Sequence, residues 1–145
     1  MAAASKGLSE IEPRAPLLRR TLLAWWELNG RLSQTQKPWM FTAEGRWPAP
    51  AEQLSCLGIW VAEVMLQQTQ LQVVLPYWWR WMEAFPTLEA LAAADDQDVL
   101  LLWQGLGYYS RARRLPAAAR HLLAAPAGTG SPWPMDLEGW LALPG

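Results

Sequence analysis

The sequence predicts an all-α fold, and two observations lead to this prediction. Apolar residues recur at helical spacing in successive segments, and no segment alternates in the manner of a strand. Proline and glycine interrupt these segments often, so we expect short helices packed at varied angles rather than a long-heptad bundle. The chain has 145 residues, of which 52% are hydrophobic and 17% are charged, which is enough for one domain with a core.

Residues 1–56 are predicted to contain one helix between two segments without regular structure. Residues 1–16 are polar and contain two prolines, so a disordered amino terminus is expected. A helix is predicted over about 17–28, because leucines and Trp26 recur at helical spacing until Asn29-Gly30 ends them. Residues 31–56 contain prolines and no sustained period, and they are predicted to form a long irregular connection, which is more often functional than not.

Two helices are predicted in the middle of the chain. Residues 57–70 are apolar on almost every side and too long for a buried strand, which favours a buried helix. A second helix is predicted over 71–84, with Pro76 at or just after its first turn, where a missing N–H costs least.

Capping residues mark the helices that follow. Thr87 and the pair Asp95-Asp96 are typical N-terminal caps of two short helices, and glycines at 105 and 107 end the second one. A helix is predicted from Tyr108 to about Ala125, in which Pro116 causes either a kink or a restart near residue 115.

A flexible connection is expected over 126–134, before a last short helix near 136–141.

Composition excludes several classes of protein. The one cysteine, Cys56, cannot form an internal disulfide or a site made of several thiolates, and no metal site is predicted within the chain. No apolar run reaches the roughly 18–20 residues needed to cross a bilayer, and no signal-peptide core is present. We therefore expect a cytoplasmic, monomeric protein with no membrane partner. The net charge of −1 means that any nucleic-acid surface must be local.

Glu63 is the first candidate for chemistry, because it stands alone in the apolar run Trp60–Leu66. Desolvation in such surroundings favours the protonated acid, which can donate a proton near neutral pH. The alternatives are that Glu63 pairs with an arginine or reaches the edge of the core. The uncharged tail Gln67-Gln68-Thr69-Gln70 can bind base edges or fill the space of an extruded base, or it can simply cap and solvate the helix end.

A second candidate surface follows Gly105. Backbone amides at a helix start can meet a phosphate, and Tyr108 at its tip can wedge between stacked bases. Behind it, the interval between Asp98 and Asp136 has no acidic residue but holds four arginines and a histidine. This basic patch is either a nucleic-acid surface or a solvated helix face. Its members are Arg111, Arg113, Arg114, Arg120 and His121.

These residues resemble the amino-terminal part of the MutY-type adenine DNA glycosylases of the helix-hairpin-helix superfamily. Residues 60–69 are close to the family motif W-V-S-E-[IV]-M-L-Q-Q-T, with Ala62 in place of serine, and residues 105–113 follow the motif G-L-G-Y-Y-S-R-x-R. The resemblance covers roughly 17–145 and implies most of a six-helix glycosylase domain. It implies hydrolysis of the N-glycosidic bond of adenine mispaired with guanine or 8-oxoguanine in double-stranded DNA, and association with the nucleoid.

The resemblance also implies roles for individual residues. Glu63 matches the catalytic glutamate that protonates adenine so that it leaves as a neutral base. Gln68 matches the glutamine that inserts near the vacated space, Gln67 its DNA-contacting neighbour, and Tyr108 the wedge beside the opposite 8-oxoguanine. Pocket walls and DNA contacts are expected from four further residues. These are Trp39, Leu66, Arg111 and Arg113. Glu63, Gln67, Leu66 and Trp39 are expected to share one cleft in which Glu63 is largely buried. Tyr108 is expected to be exposed, with Arg111 and at least one of Arg113 and Arg114 on the same side as Gln68.

Leu143-Pro144-Gly145 resembles the first half of the family's hairpin, L-P-G-[IV]-G-x-[YS]-T-A. The resemblance thus implies a fragment truncated at the start of the hairpin, without the family's catalytic aspartate or the four cysteines of its [4Fe–4S] cluster. Residues 17–30 match the helix that packs with the iron–sulfur domain in the family, so an exposed apolar stripe is expected there, and residues 31–145 form the partial glycosylase domain. The chain alone is expected to excise adenine negligibly. The alternatives are a non-catalytic DNA-binding remnant, an endonuclease III-like glycosylase, or a degenerate frame with no stable fold.

Overall fold

The structure is a computed structural model that describes residues 15–30, 35–42, 44–124 and 131–144. Within these ranges the fold is all-α, as predicted, with seven α-helices, one 3₁₀-helix at Pro38–Met40 and no strand. The helices are α1 (Ala15–Asn29), α2 (Cys56–Leu66), α3 (Leu71–Ala84), α4 (Leu88–Ala92), α5 (Asp96–Trp103), α6 (Tyr109–Ala124) and α7 (Leu137–Leu141). The predictions for residues 1–14 and 125–130 lie outside the described residues.

The chain divides into two compact units, residues 1–33 and 34–145. In the first unit, α1 begins two residues earlier than predicted and has no buried residue. Its large apolar side chains are exposed, with Leu22 at 63% and Trp25 at 57%. The expected exposed apolar stripe is therefore present on this helix.

The second unit is built around α2. Ser55 caps this helix by accepting a hydrogen bond from the Gly58 amide, and the buried residues Val61, Ala62 and Met65 lie on its inner side. Trp78 of α3 donates its indole N–H to the Gly58 carbonyl at 2.9 Å. A side chain at position 58 would crowd that indole, since a Cβ would lie 3.2 Å from it, so glycine permits the close approach of α2 and α3.

Side-chain caps fix the starts of the short helices at the predicted residues. Thr87 accepts from the Ala90 amide at 3.1 Å, and Asp95 accepts from the Gln97 amide at 2.7 Å. Asp136 caps α7 in the same way. Each oxygen satisfies an amide that has no partner inside its helix, which stabilises a helix start by about 1 kcal/mol.

Helix α6 is continuous from Tyr109 to Ala124, so a restart near Leu115 is wrong. Pro116 is accommodated inside the helix with its ring buried against the core. The face that carries Leu115, Pro116 and Ala119 packs against α4 and α5. Burial of this face offsets the hydrogen bond that proline removes.

Tryptophans fill much of the core of the second unit. Trp81 is fully buried and its ring meets Trp103 edge to face, with 5.5 Å between the centroids. Phe85 meets the same Trp81 ring at 5.1 Å. Such rings bury large areas with few side-chain rotations, so they fix the mutual positions of α3 and α5.

The described residues contain neither a membrane-spanning helix nor a cluster of metal-binding side chains. None of the helices there is long and apolar enough to cross a membrane. No group of three His, Cys, Asp or Glu side chains within the same ranges is placed to hold a metal ion.

Candidate nucleic-acid interface

Helix α2 ends at Leu66, four residues before the predicted end. Residues 67–70 instead form a turn, called here the Gln68 turn, in which Gln68 has a left-handed backbone with φ 58°. The Thr69 amide closes the turn by donating to the Leu66 carbonyl. The prediction of helix through Gln70 was wrong because a left-handed residue cannot continue a right-handed helix.

A second turn, called here the Tyr108 turn, spans residues 104–108 between α5 and α6. Gly105 and Gly107 have φ values of 100° and 78°, and Tyr108 follows with φ 48°. The Tyr108 side chain is 63% exposed at the start of α6, as the sequence predicted. Two side chains donate hydrogen bonds to backbone carbonyls of the turn. Tyr77 donates its hydroxyl to the Gln104 carbonyl at 3.0 Å, and Trp103 donates its indole N–H to the Gly107 carbonyl at 2.8 Å.

Gln68 and Tyr108 share an unusual backbone. Among the described residues, they are the two non-glycine residues with positive φ. A left-handed conformation costs a residue with a side chain roughly 1–2 kcal/mol, and such costs cluster at functional sites. Both side chains are exposed, so the strained backbone presents them to solvent and does not bury them.

Arg111 connects the two turns. Its Nη1 donates to the carbonyls of Val64 and Met65 at 2.9 and 3.0 Å and also to the Gln67 carbonyl. Its Nη2 lies 3.4 Å from the Thr69 hydroxyl and 3.3 Å from the Gly107 carbonyl. The residue is only 6% exposed. Arg111 thus lies on the side of Gln68, as predicted, but its Nη donors are directed to backbone carbonyls at the end of α2 and not to solvent.

The charge of Arg111 is balanced by dipoles and aromatic rings. The guanidinium carbon lies 5.3 Å from the centroid of the Trp103 ring and 5.4 Å from that of Tyr108. The carboxyl end of α2 supplies a further partial negative charge. Burial lowers the pKa of the Arg111 guanidinium, and the nearby Tyr108 phenol raises it by a smaller amount.

Glu63 is exposed, so the expectation of a largely buried carboxylate is wrong. It lies in the third turn of α2, and within the described residues its carboxylate has no hydrogen-bond partner. Of the alternatives considered from the sequence, the structure places Glu63 at the edge of the core and not in an arginine pair. Its helix is apolar on nearly all sides, and position 63 falls on the narrow face that the core leaves open.

Glu63 nevertheless lines a cleft of about 240 Å³. This volume is below the roughly 300–1,000 Å³ of pockets for drug-sized ligands, and it suits a smaller group. Helices α2, α6 and α7 and the segment after α7 form its walls. The lining residues are Trp60, Glu63, Val64, Gln67, Arg111, Arg114, Leu115, Trp140, Leu143 and Pro144.

One wall of the cleft continues into a row of three indoles. Trp60 and Trp133 have centroids 5.7 Å apart, and Trp133 stacks on Trp140 at 5.9 Å with an interplanar angle of 21°. The cleft thus combines a carboxylate, an exposed arginine at position 114 and flat aromatic surface. This arrangement can hold a planar group and deliver a proton to it.

Only part of the expected pocket assembles. Gln67 lines the cleft with Glu63, but Trp39 and Leu66 do not. Trp39 is 3% exposed and packs against Trp78 at 5.3 Å, beside a different cavity of about 560 Å³. That cavity adjoins Gly58, which is rotated about 140° from Glu63 around α2. The expectation that Trp39 and Glu63 share a cleft is wrong for this reason.

The remaining basic residues differ in their exposure and contacts. Arg113 is exposed and points away from the core side of α6, while Arg114 is exposed at the rim of the cleft. Arg120 donates to the Ala92 carbonyl at 2.9 Å and so contacts α4. Arg113 and Arg114 are thus the charges available to a phosphate near the Tyr108 turn.

The sequence analysis did not predict the row of indoles Trp60, Trp133 and Trp140 beside Glu63. Trp60 could have been found, because it lies three residues before Glu63 and three-residue neighbours share a helix face. Trp133 and Trp140 had no such signal, because they lie about 70 residues further along the chain. The burial of Arg111 did have a signal, since it precedes Leu115 and Leu122 by four and eleven residues on one helical stripe.

Comparison with known protein families identifies the family to which the chain belongs. Residues 61–139, more than half of the chain, match the family described as "HhH-GPD superfamily base excision DNA repair protein". The chain belongs to this family. A solved structure of a thermostable thymine-DNA glycosylase has the same fold, with a TM-score of 0.68 over 92% of this chain and 54% of that chain, at 18% identity.

Within that class, the chain is similar to adenine DNA glycosylases. It is 42% identical over 105 residues to the "Adenine DNA glycosylase" of Rattus norvegicus, which covers 72% of this chain and 19% of that protein. It is 31% identical over 130 residues to the protein of the same name from Arabidopsis thaliana, which covers 77% of this chain and 19% of that protein. The chain spans about a fifth of the length of these curated relatives.

An iron–sulfur cluster does not fit the residues of this chain. A [4Fe–4S] cluster takes four thiolates, and Cys56, half-buried in the first turn of α2, is the one cysteine. Burial raises the pKa of the Cys56 thiol, which favours the uncharged form over a metal-binding thiolate.

Proposed function

We propose that the chain carries the DNA-inserting turns and the proton-donating glutamate of an adenine DNA glycosylase. Its substrate is double-stranded DNA in which adenine is mispaired with guanine or 8-oxoguanine, and the reaction is hydrolysis of the adenine N-glycosidic bond. The protein acts as a monomer on DNA in the nucleoid. Similarity to curated adenine DNA glycosylases supports this substrate over that of an endonuclease III-like enzyme.

The observation that carries the proposal is the pair of exposed, left-handed residues Gln68 and Tyr108, joined through Arg111 beside the Glu63 cleft. An enzyme that acts on a base must extrude it from the stack, and side chains inserted into the duplex stabilise the distorted state. Tyr108 has the exposed ring required for a wedge, and Gln68 has an amide that can fill and bond within the vacated space.

In the proposed reaction, the extruded adenine enters the cleft against the row of indoles. The protonated Glu63 carboxyl donates its proton to an adenine ring nitrogen as the C1′–N bond breaks, so that the bonding electrons leave with a neutral base. Water then adds to the C1′ cation of the sugar, and the proton that this water releases returns to the Glu63 carboxylate. Arg113 and Arg114 contact phosphates next to the Tyr108 turn. Trp39 and Leu66 keep their proposed role as pocket walls only if the segment that carries Trp39 moves when DNA binds.

The exposure of Glu63 favours a second candidate function. Among the described residues, no hydrogen bond holds the Glu63 carboxylate in the orientation that proton transfer to a base needs. The second candidate is therefore a DNA-binding remnant that uses the two turns and the arginines without breaking a bond.

Single-turnover excision tests these functions. The purified chain, in excess over a duplex with adenine opposite 8-oxoguanine, is incubated and the strand is then cleaved with alkali at abasic sites. We expect negligible release from the chain alone. Release that is abolished by Glu63→Gln and retained by the control Glu83→Gln, an exposed glutamate on α3, would contradict that expectation and identify Glu63 as the proton donor. Both variants should keep duplex binding. Release that persists in Glu63→Gln would rule out Glu63 as the proton donor. Binding with no release supports the remnant, and failure to bind the duplex contradicts both functions.

A further inference from the structure

We infer that Arg111 is a positioning residue, whose guanidinium sets the conformations of the Gln68 and Tyr108 turns without contacting DNA. The inference rests on the proposed function only in taking these turns to be the ones that insert side chains into DNA. The contacts themselves lie within the free protein. No other described side chain bonds to both turns.

The five acceptors of Arg111 are distributed in a particular way. Two of them, the Val64 and Met65 carbonyls, belong to the last turn of α2 and cannot be used again within the helix. The Gln67 carbonyl immediately precedes Gln68, and the Gly107 carbonyl immediately precedes Tyr108. The guanidinium therefore fixes the peptide planes on which both left-handed residues depend.

Arginine is specifically suited to this position. Its planar fork presents donors in two directions, so that Nη1 faces the end of α2 while Nη2 reaches Thr69 and Gly107. A lysine ammonium is a single point and cannot span both sets of acceptors. Because the group is buried, it is also screened from phosphates that would otherwise compete for its hydrogen bonds.

This geometry makes the two inserting side chains one unit. If the guanidinium is lost, each turn is free to relax toward right-handed backbone, and both side chains change direction together. A residue that merely stabilised the fold would not couple Gln68 to Tyr108, and a phosphate contact would not change either turn in the absence of DNA.

This role is tested by amide hydrogen exchange, measured by NMR on the free parent chain and on the free variant Arg111→Lys. The hydrogen-bonded amides of Thr69 and of residue 111 report on the two turns, and that of Leu91 in α4 reports on the core. We expect exchange in both turns to be at least about tenfold faster, with Leu91 unchanged, because each hydrogen bond to a charged group contributes a factor of this size. The control is Arg120→Lys, on the same helix and also bonded to a carbonyl, which should leave both turns unchanged.

Equal acceleration at Thr69, residue 111 and Leu91 would overturn the inference, since it indicates general destabilisation. No acceleration in either turn would also overturn it. If Arg111→Lys does not fold, Thr69→Val takes its place, because it removes one acceptor of the guanidinium. The inference then predicts a smaller acceleration, about twofold, that reaches the Tyr108 turn as well as the Gln68 turn, and an effect confined to the Gln68 turn would contradict it.

Duplex affinity then separates this inference from the proposed function. Arg111→Lys should weaken binding in the parent chain but have no further effect when Gln68 and Tyr108 are both alanine, because it acts through them. An equal loss in both backgrounds would indicate a direct DNA contact and overturn the inference. A parent chain that binds no duplex contradicts the proposed function alone, since the exchange measurement on free protein still decides the role of Arg111.

Discussion

Backbone strain at Gln68 and Tyr108 lies at the positions where side chains must project from the surface. Neither residue is of the type that favours left-handed backbone, which is glycine and, less often, asparagine or aspartate. The surrounding hydrogen bonds hold them there, at a cost of roughly 1–2 kcal/mol for each residue. Folding stability is thus lower than it would be if these positions were chosen for stability alone.

Replacing Gln68 with glycine tests this cost. We expect Gln68→Gly to raise the free energy of unfolding by up to about 1 kcal/mol, because glycine adopts positive φ without the steric penalty of a side chain. Urea denaturation measures the change. The matched control is Gln72→Gly in the first turns of α3, which should lower the free energy of unfolding by about 0.5–1 kcal/mol. Loss of stability in Gln68→Gly would show that its side chain, and not its backbone, dominates at this position.

At the scale of the elements, side chains from three places in the second unit hold the Tyr108 turn. It joins α5 to α6 within five residues, and Tyr77, Trp103 and Arg111 each bond to its carbonyls. Gly105 and Gly107 both have left-handed φ, but their surroundings differ. A Cβ at position 105 would overlap the Tyr77 hydroxyl, whereas one at position 107 would have no atom within 4 Å.

Alanine at the two glycines should therefore have unequal effects. Gly107→Ala should lower the free energy of unfolding by about 1 kcal/mol, from backbone strain alone. Gly105→Ala should lower it by at least about 2 kcal/mol, since the overlap with Tyr77 adds to the same strain. Thermal or urea unfolding checks the order. In the Tyr77→Phe background, which removes the overlapping hydroxyl, the difference between the two substitutions should shrink, and an unchanged difference would contradict this explanation.

The elements also show which parts of the fold the sequence can predict. Helices α4 and α5 begin where Thr87 and Asp95 predict, and α5 ends before the glycines, because capping is a local interaction between neighbouring residues. The end of α2 was missed because its carbonyls are bound by Arg111, more than 40 residues later in the chain. A sequence pattern read in short windows does not contain that contact.

At the scale of the whole molecule, some features of the candidate site could be predicted from the sequence, and others depend on tertiary packing. The exposure of Tyr108 followed from its place at a helix start after glycines. The relation of Glu63 to Trp39 did not follow, because the 3₁₀-helix that carries Trp39 packs on the Gly58 side of α2. Part of the wall of the Glu63 cleft comes from Trp140, which only the tertiary fold brings near Glu63.

The net charge of −1 makes the local arrangement of charge decisive for DNA binding. The molecule as a whole does not attract a polyanion, so affinity must come from inserted side chains and from a few arginines near the Tyr108 turn. These two contributions respond differently to salt. Phosphate contacts release counterions and steepen the salt dependence, whereas insertion of Gln68 and Tyr108 adds affinity without changing the slope.

The most direct test of the central claim is therefore the affinity of the chain for a duplex with adenine opposite 8-oxoguanine, measured by fluorescence anisotropy across a series of salt concentrations. We predict that the double variant Gln68→Ala, Tyr108→Ala binds at least about tenfold more weakly than the parent chain with the same salt slope, since inserted and stacking side chains contribute about 1–3 kcal/mol each. Arg113→Gln should instead reduce the slope by about one. Unchanged affinity in the double variant would contradict the claim that these two turns engage DNA.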